Sequence, residues 1–298
     1  MVWSVVKNRP MRPLLALVAV TAVWGVTFVQ VKDAVAIYPL FAFLAVRYAI
    51  ATGALALAGG TRVSTLGRSG WTAGALVGSL LGLGIGLQTA GLERTTVSST
   101  GFITGLYVVF TPVFGLALFR ASVAVEVWLG VAFALAGLAM LSGVPVGTTG
   151  GNLLVLASAA AQALQIVALE RYAGRYDAIA LTLVQMAVCL ATFLVIALAL
   201  GQLEVPRGWT VWGALLVTGL FASALAYLIQ VWAQRRLSAA RIAIVFSLET
   251  VFAGIFGYWL SGDRLGWLGW GGCVLILAGI VVAEPAAVRV LRALLSSD

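Results

Sequence analysis

About ten apolar stretches, each close to twenty residues long, fill nearly all of this 298-residue chain. A helix needs roughly 20 predominantly apolar residues to cross the hydrocarbon core of a bilayer. The stretches fall near 14–31, 40–58, 70–90, 98–119, 123–142, 152–169, 178–200, 209–233, 239–260 and 267–283. Hydrophobic residues make up 62% of the chain and charged residues 9%, too few charges to cover a water-soluble surface of this size. The expected fold class is an all-α polytopic membrane protein with ten transmembrane helices. The connections are short, so no soluble catalytic domain is expected, and whatever the chain does happens within the bilayer.

The residues that are missing narrow the chemistry. There is no histidine, which removes Ser/His/Asp and Cys/His nucleophilic sites, histidine metal sites and histidine proton relays. Lys7 and Lys32 are the two lysines and no G-x-x-x-x-G-K-[S/T] occurs, so there is no P-loop for ATP. Cys189 and Cys273 lie deep in apolar spans and read as small buried hydrophobes. No catalytic residue, metal site or cofactor is expected. An intramembrane enzyme is the lesser alternative: it would need clustered acid/base or metal-binding groups, and two isolated intramembrane charges without histidine are a poor start.

The net charge of +8 is scattered over loops rather than gathered into a nucleic-acid surface. With the N-terminus placed in the cytoplasm, Lys and Arg divide thirteen to four in favour of the inner segments, which predicts both termini inside. The basic start and apolar run up to Ala34-Val35-Ala36 resemble a signal peptide. The run is long enough to span, and removing it would leave an odd number of spans, so it is read as the first span.

The two halves align at a constant offset of 138 residues: Gly70-Trp71 with Gly208-Trp209, Ala19 and Ala22 with Ala157 and Ala160, and Val113-Phe114 with Val251-Phe252. Each half has five spans. Five is odd, so the second half enters the membrane inverted. This predicts two five-helix repeats, residues 1–145 and 146–298, forming one membrane unit. Inverted repeats of this kind place a substrate site near the midplane where the halves meet, and rocking one against the other gives alternating access.

The run Thr-Gly-Phe-Ile-Thr-Gly-Leu-Tyr-Val-Val-Phe-Thr-Pro-Val at 100–113 resembles the fourth span of the drug/metabolite transporter superfamily, EamA type. Ser-Ala-Ala-Arg-Ile-Ala-Ile-Val-Phe-Ser-Leu-Glu-Thr-Val-Phe-Ala at 238–253 resembles the corresponding span of the second half, and Trp24-Gly25 and Arg47-Tyr48 are similar to the family's first two spans. The resemblance covers the whole chain. It implies a ten-helix carrier of the bacterial inner membrane, an exporter of amino acids or other metabolites, with aromatic and other neutral amino acids as the nearest likeness. A nucleobase, vitamin or drug carrier in the same fold is the alternative. The chain departs from the family pattern at Glu249-Thr250, where Glu-Pro is usual. It also departs at Gly262-Asp263, where Gly-Glu is usual, and at Ala121-Ser122 in the first half.

Several residues are candidates for the pathway on their own chemistry. Thr100, Thr104, Tyr107 and Thr111 recur at helical spacing along the fourth span and form a polar stripe, followed at once by Pro112, which is expected to kink the helix. The hydroxyls line a cavity or bond back to their own helix. Gln162 and Gln165 share a face of the sixth span with Ser158, and Tyr227 and Gln230 share a face of the eighth with Ser223 and Gln234. Trp24 and Phe28 do so on the first. The amides suit a zwitterion's ends or interhelical bonds, and the aromatics suit the wall of a ring pocket or ordinary packing.

Arg47 sits about eight residues into the second span, roughly 12 Å down at 1.5 Å per residue, and Glu249 lies near the centre of the ninth. Intramembrane charges are functional candidates by default. Arg47 is a candidate for a substrate carboxylate, and Glu249 for a substrate ammonium or a coupling proton. A structural ion pair between them is the competing reading. Gly74, Gly78, Gly82 and Gly86 give the third span a small-residue face for close packing or sliding.

Overall fold

The computed structural model describes residues 11–142, 148–260 and 266–283, and every element in them is helical. The first half contains α1 (Met11–Val35), α2 (Leu40–Gly59), a 3-10 turn (Gly60–Thr65), α3 (Gly67–Arg94), α4 (Val97–Gly105), α5 (Tyr107–Phe119) and α6 (Val125–Ser142). The second contains α7 (Thr149–Ala173), α8 (Ala178–Ala199), α9 (Trp209–Gly219), a π-helical turn (Leu220–Leu225), α10 (Ala226–Gln234), α11 (Ala239–Phe246), α12 (Leu248–Leu260) and α13 (Trp267–Ala283). Eight helical segments among the described residues are long and apolar enough to cross a membrane, and Val125–Met140 and Trp267–Ala283 are shorter apolar helices. Of the residues behind the sequence expectations, Lys7, Arg9, Gly262, Asp263, Arg264, Arg289 and Arg292 lie outside the described residues.

The helix ends overshoot the apolar stretches by up to four residues, at α1, α3 and α7. The added turns carry Lys32, Arg94 and Arg171, long side chains that keep their charges in the interfacial region while the backbone stays helical. Helix starts follow local chemistry. Thr96, Thr148 and Asp177 cap α4, α7 and α8 by accepting from the backbone N–H of Ser99, Gly151 and Ala180.

Two spans are broken within the bundle. The fourth is interrupted at Leu106, between α4 and α5, while the helix runs on through Pro112. The discontinuity thus falls N-terminal to the proline, the side on which its ring crowds the helix and its missing N–H removes a bond. The ninth is interrupted at Ser247, between α11 and α12, without any proline. The Ser247 hydroxyl donates to the Ile244 carbonyl there, at 2.6 Å.

The dominant contacts join the two halves of the chain. α6 packs on α13, α3 on α7 and α8, α2 on α8, α1 on α12, α5 on α7, and α1 on α9 and α10. Small residues make these approaches possible. A Cβ added at Gly137 would stand 2.5 Å from the Gly272 carbonyl, and one at Gly130 would stand 2.7 Å from the Gly279 carbonyl, so α6 and α13 touch backbone to backbone. The stripe Gly74, Gly78, Gly82 and Gly86 lies against α8 at Val184, Gln185, Cys189 and Phe193. Large apolar side chains such as Leu57, Leu83, Leu116 and Leu198 face outward, while Thr21, Arg47, Thr100 and Gln230 are buried. This is the distribution a lipid solvent selects.

Candidate functional site

A cavity of about 500 Å3 of atom-free space, its open mouth included, lies between the two halves. Its enclosed part has room for a few waters only. The walls come from the C-terminal halves of α1 (Trp24, Thr27, Phe28, Val31) and α3 (Ile85, Gln88, Thr89, Leu92), with Arg47 from α2. The second half of the chain contributes Gln162 from α7, Tyr227 from α10 and Glu249 from α12. Two close contacts fix the walls. A Cβ on Gly25 would stand 2.7 Å from the Ala253 nitrogen and 2.9 Å from the Glu249 carbonyl, so α1 lies directly on the turn that carries Glu249. A Cβ on Gly84 would stand 2.8 Å from Gln162 Cγ, which presses α3 onto α7.

The cavity holds one cationic and one anionic side chain. Arg47 is buried, and its Nε donates to Ser223 Oγ at 2.8 Å. Glu249 is the second residue of α12, where the unsatisfied N–H groups of the first turn favour a carboxylate. The Tyr107 hydroxyl donates to Glu249 Oε2 over a long 3.5 Å. Tyr107 opens α5, so the two interrupted spans meet just past their breaks. The two charges do not pair with each other. An ion pair within 4.0 Å is instead formed on the exposed surface by Arg62 and Asp177, at 3.4 Å.

Around the charges stand amides and rings. Gln162 Nε2 donates to Ser158 Oγ (2.9 Å) and Gln88 Nε2 to Thr104 Oγ1 (3.1 Å), which holds both amides in place. Trp24 packs edge-on to Phe246 at 4.8 Å and beside Tyr227 at 5.7 Å between centroids, and its indole N–H donates to the Ala222 carbonyl at 2.9 Å. At the end of the bundle reached by the C-termini of α1 and α3, Lys32 Nζ donates to the Thr95 carbonyl at 2.8 Å. Nearby the Tyr38 hydroxyl donates to the Glu204 carbonyl at 2.7 Å. Burial, with the Glu204 charge second, holds that phenol above its ordinary pKa.

The sequence candidates separate into groups. Trp24, Phe28, Arg47, Gln162, Tyr227 and Glu249 converge on the cavity. The stripe on the fourth span lies outside the lining. Thr100 and Thr111 donate to the carbonyls of Thr96 and Tyr107 in their own span, Thr104 stands behind Gln88, and Tyr107 stands behind Glu249. Gln165 and Gln230 form a separate buried amide chain: Gln230 Nε2 donates to Gln165 Oε1 and Gln234 Oε1, both at 3.1 Å, and Gln234 donates to the Ile166 carbonyl.

Gln88 and Thr89 join the cavity without being singled out from sequence. Gln88 is marked in the sequence as an amide within a largely apolar span, on the face opposite the glycine stripe. Thr250, where the resemblance leads one to expect proline, donates its hydroxyl to the Gly101 carbonyl at 3.2 Å and so ties α12 to α4.

Comparison with known proteins identifies the family. The sequence pattern of the EamA-like transporter family matches residues 11–143 and, a second time, residues 149–283. An uncharacterized transporter of Archaeoglobus fulgidus is 30% identical over 273 residues, covering 91% of this chain and 85% of that one. A protein of known crystal structure superposes with a TM-score of 0.76 at 22% identity, covering 94% of this chain and 98% of that one, which shows a shared fold. Two family matches spanning nearly the full length, on a bundle of apolar helices around a polar cavity, place the chain in the EamA-like transporter family, as a multi-pass membrane transporter of small molecules.

Proposed function

We propose that the protein is a secondary carrier that exports small amphipathic metabolites across a bacterial inner membrane by alternating access, with aromatic and other neutral amino acids as the solutes its cavity suits best. The observation that carries this is the unpaired arrangement of Arg47 and Glu249 in one cavity. A buried guanidinium without a carboxylate partner is costly. A zwitterion completes both charges at once, its carboxylate on Arg47 and its ammonium toward Glu249. Trp24, Phe28 and Tyr227 offer the ring wall, and Gln88 and Gln162 add neutral polar contacts. Since the enclosed space holds only a few waters, a solute of that size displaces them and separates the walls, which couples binding to movement of the halves.

The architecture we propose for this cycle is ten spans in two inverted repeats, residues 1–145 and 146–298, with both termini cytoplasmic. The packing supports it. The α1–α12 contact has α5–α7 as its counterpart with the halves exchanged, and α3–α7 has α1 on α9 and α10. α2–α8 and α6–α13 are their own counterparts. The excess of Arg and Lys in the inner segments supports the orientation.

The test is transport of radiolabelled phenylalanine and tryptophan by the purified protein in liposomes, with and without a pH gradient. Saturable movement is expected. Movement of a nucleobase or vitamin alone would remove the amino-acid reading and leave the carrier. With no ATP site in the sequence, energy comes from the solute gradient or from protons, and Glu249 is the coupling candidate. Glu249→Gln is expected to weaken binding of the zwitterion, whose ammonium loses its anionic partner, and the exchange that remains is expected to lose acceleration by a pH gradient. Equal acceleration in both proteins would remove Glu249 from proton coupling.

A further inference from the structure

We infer that Ser223 is a positioning residue for solute recognition: carried on the π turn of the eighth span, its hydroxyl fixes the Arg47 guanidinium so that Nη1 and Nη2 are left for the cavity. The inference rests on the proposed reading of Arg47 as the carboxylate site and assigns the part of that site that sets its geometry.

A guanidinium is a rigid plane with five donors in fixed directions. Taking up the Nε donor therefore orients the whole plane. Ser223 does this from a fully buried position, across 176 residues of sequence and from the opposite half of the chain. A helical serine commonly spends its hydroxyl on a carbonyl one turn back. Here the oxygen accepts from a guanidinium on another helix.

The π turn is what aims it. A π segment fits more residues into each turn, re-aims side chains and loosens the carbonyl ladder, and such turns recur at functional sites. The neighbouring residue shows the same effect, since the Ala222 carbonyl accepts the indole N–H of Trp24. Consecutive residues of this turn thus hold two cavity residues of the first half. Gly219, just before the turn, allows the approach, because a Cβ there would stand 3.0 Å from the Arg47 carbonyl and 2.9 Å from Ile50 Cγ2. The turn is a clasp between the halves at the level of the cavity.

The experiment compares wild type, Ser223→Ala and Ser223→Thr, full length in liposomes, using phenylalanine and its carboxamide, which lacks the carboxylate. Wild type is expected to prefer the acid. Ser223→Ala is expected to raise the KM for the acid about tenfold relative to the amide, the size of one charge-assisted hydrogen bond's worth of ordering, and Ser223→Thr is expected to restore the preference. An acid-to-amide KM ratio unchanged in Ser223→Ala would overturn the inference. Solvent exchange of the Arg47 Nε–H, followed by 15N NMR with the resonance assigned by its loss in Arg47→Lys, gives a reading independent of any solute. Slow exchange in wild type and Ser223→Thr, with fast exchange in Ser223→Ala, supports positioning. Equal exchange in all three overturns it. If exchange responds to Ser223 while wild type does not distinguish acid from amide, positioning stands and the carboxylate reading of Arg47 fails.

Discussion

Arg47→Met is expected to weaken transport of carboxylate-bearing solutes severely while leaving the protein at least as stable as wild type. The two effects have one cause. Arg47 is buried, and Ser223 satisfies Nε with no carboxylate within 4.0 Å. Methionine keeps most of the stem and removes a charge whose burial opposes folding, so the melting temperature in detergent should hold or rise. Transport should suffer because a charge-assisted bond to the solute is worth about 1.5–3 kcal/mol, and a bidentate guanidinium–carboxylate pair lies at or above the top of that range. The expected rise in KM for phenylalanine is on the order of a hundredfold, at about 1.4 kcal/mol per factor of ten. A variant with wild-type KM would show that Arg47 does not touch the solute. A variant that aggregates or melts well below wild type would show that the guanidinium is structural.

Gly25→Leu is expected to be the most damaging single substitution in the first span. The space at Gly25 is bounded by backbone as well as side chain: the Ala253 nitrogen and Phe252 Cβ at 2.7 Å and the Glu249 carbonyl at 2.9 Å from a Cβ. Backbone cannot rotate away, so α1 and α12 must separate. Overpacking of this kind costs about 1–3 kcal/mol and occasionally more, and here it also moves Trp24 and Glu249 apart on either side of the cavity. The expected result is a large loss of thermal stability and no measurable transport. Gly53→Ala is the matched control, because a Cβ at Gly53 meets nothing within 4 Å. Replacing a helical glycine at an open position should be neutral or stabilising by about 0.5–1 kcal/mol. If both variants melt alike, the close contact between α1 and α12 is not as described.

The helices were legible because the bilayer imposes a one-dimensional rule of length and apolarity, which α8 and α11–α12 meet almost to the residue. Misplaced ends, at α1, α3 and α7, arise where long basic side chains let a helix continue past its apolar stretch. The charges of the cavity were legible for the same reason: Arg47 and Glu249 are anomalous in an apolar environment whatever their neighbours. The stripe of Thr100, Thr104, Tyr107 and Thr111 was also visible as a pattern, but a hydroxyl can satisfy itself on its own helix, so periodicity does not say what it faces.

Sequence alone determined that the chain is helical, lies in the membrane and carries two unusual charges, because these follow from composition and spacing along a single segment. Only the tertiary structure decided that Arg47 and Glu249 share a cavity without pairing, that Gln165 and Gln230 belong to another cluster, and that a π turn holds Trp24 and Arg47. Those facts depend on how far a glycine lets one helix approach another and on which way a helix is rotated. Both are set by contacts between residues distant in sequence, 65 positions for Gln165 and Gln230 and 198 for Trp24 and Ala222, which no local pattern encodes.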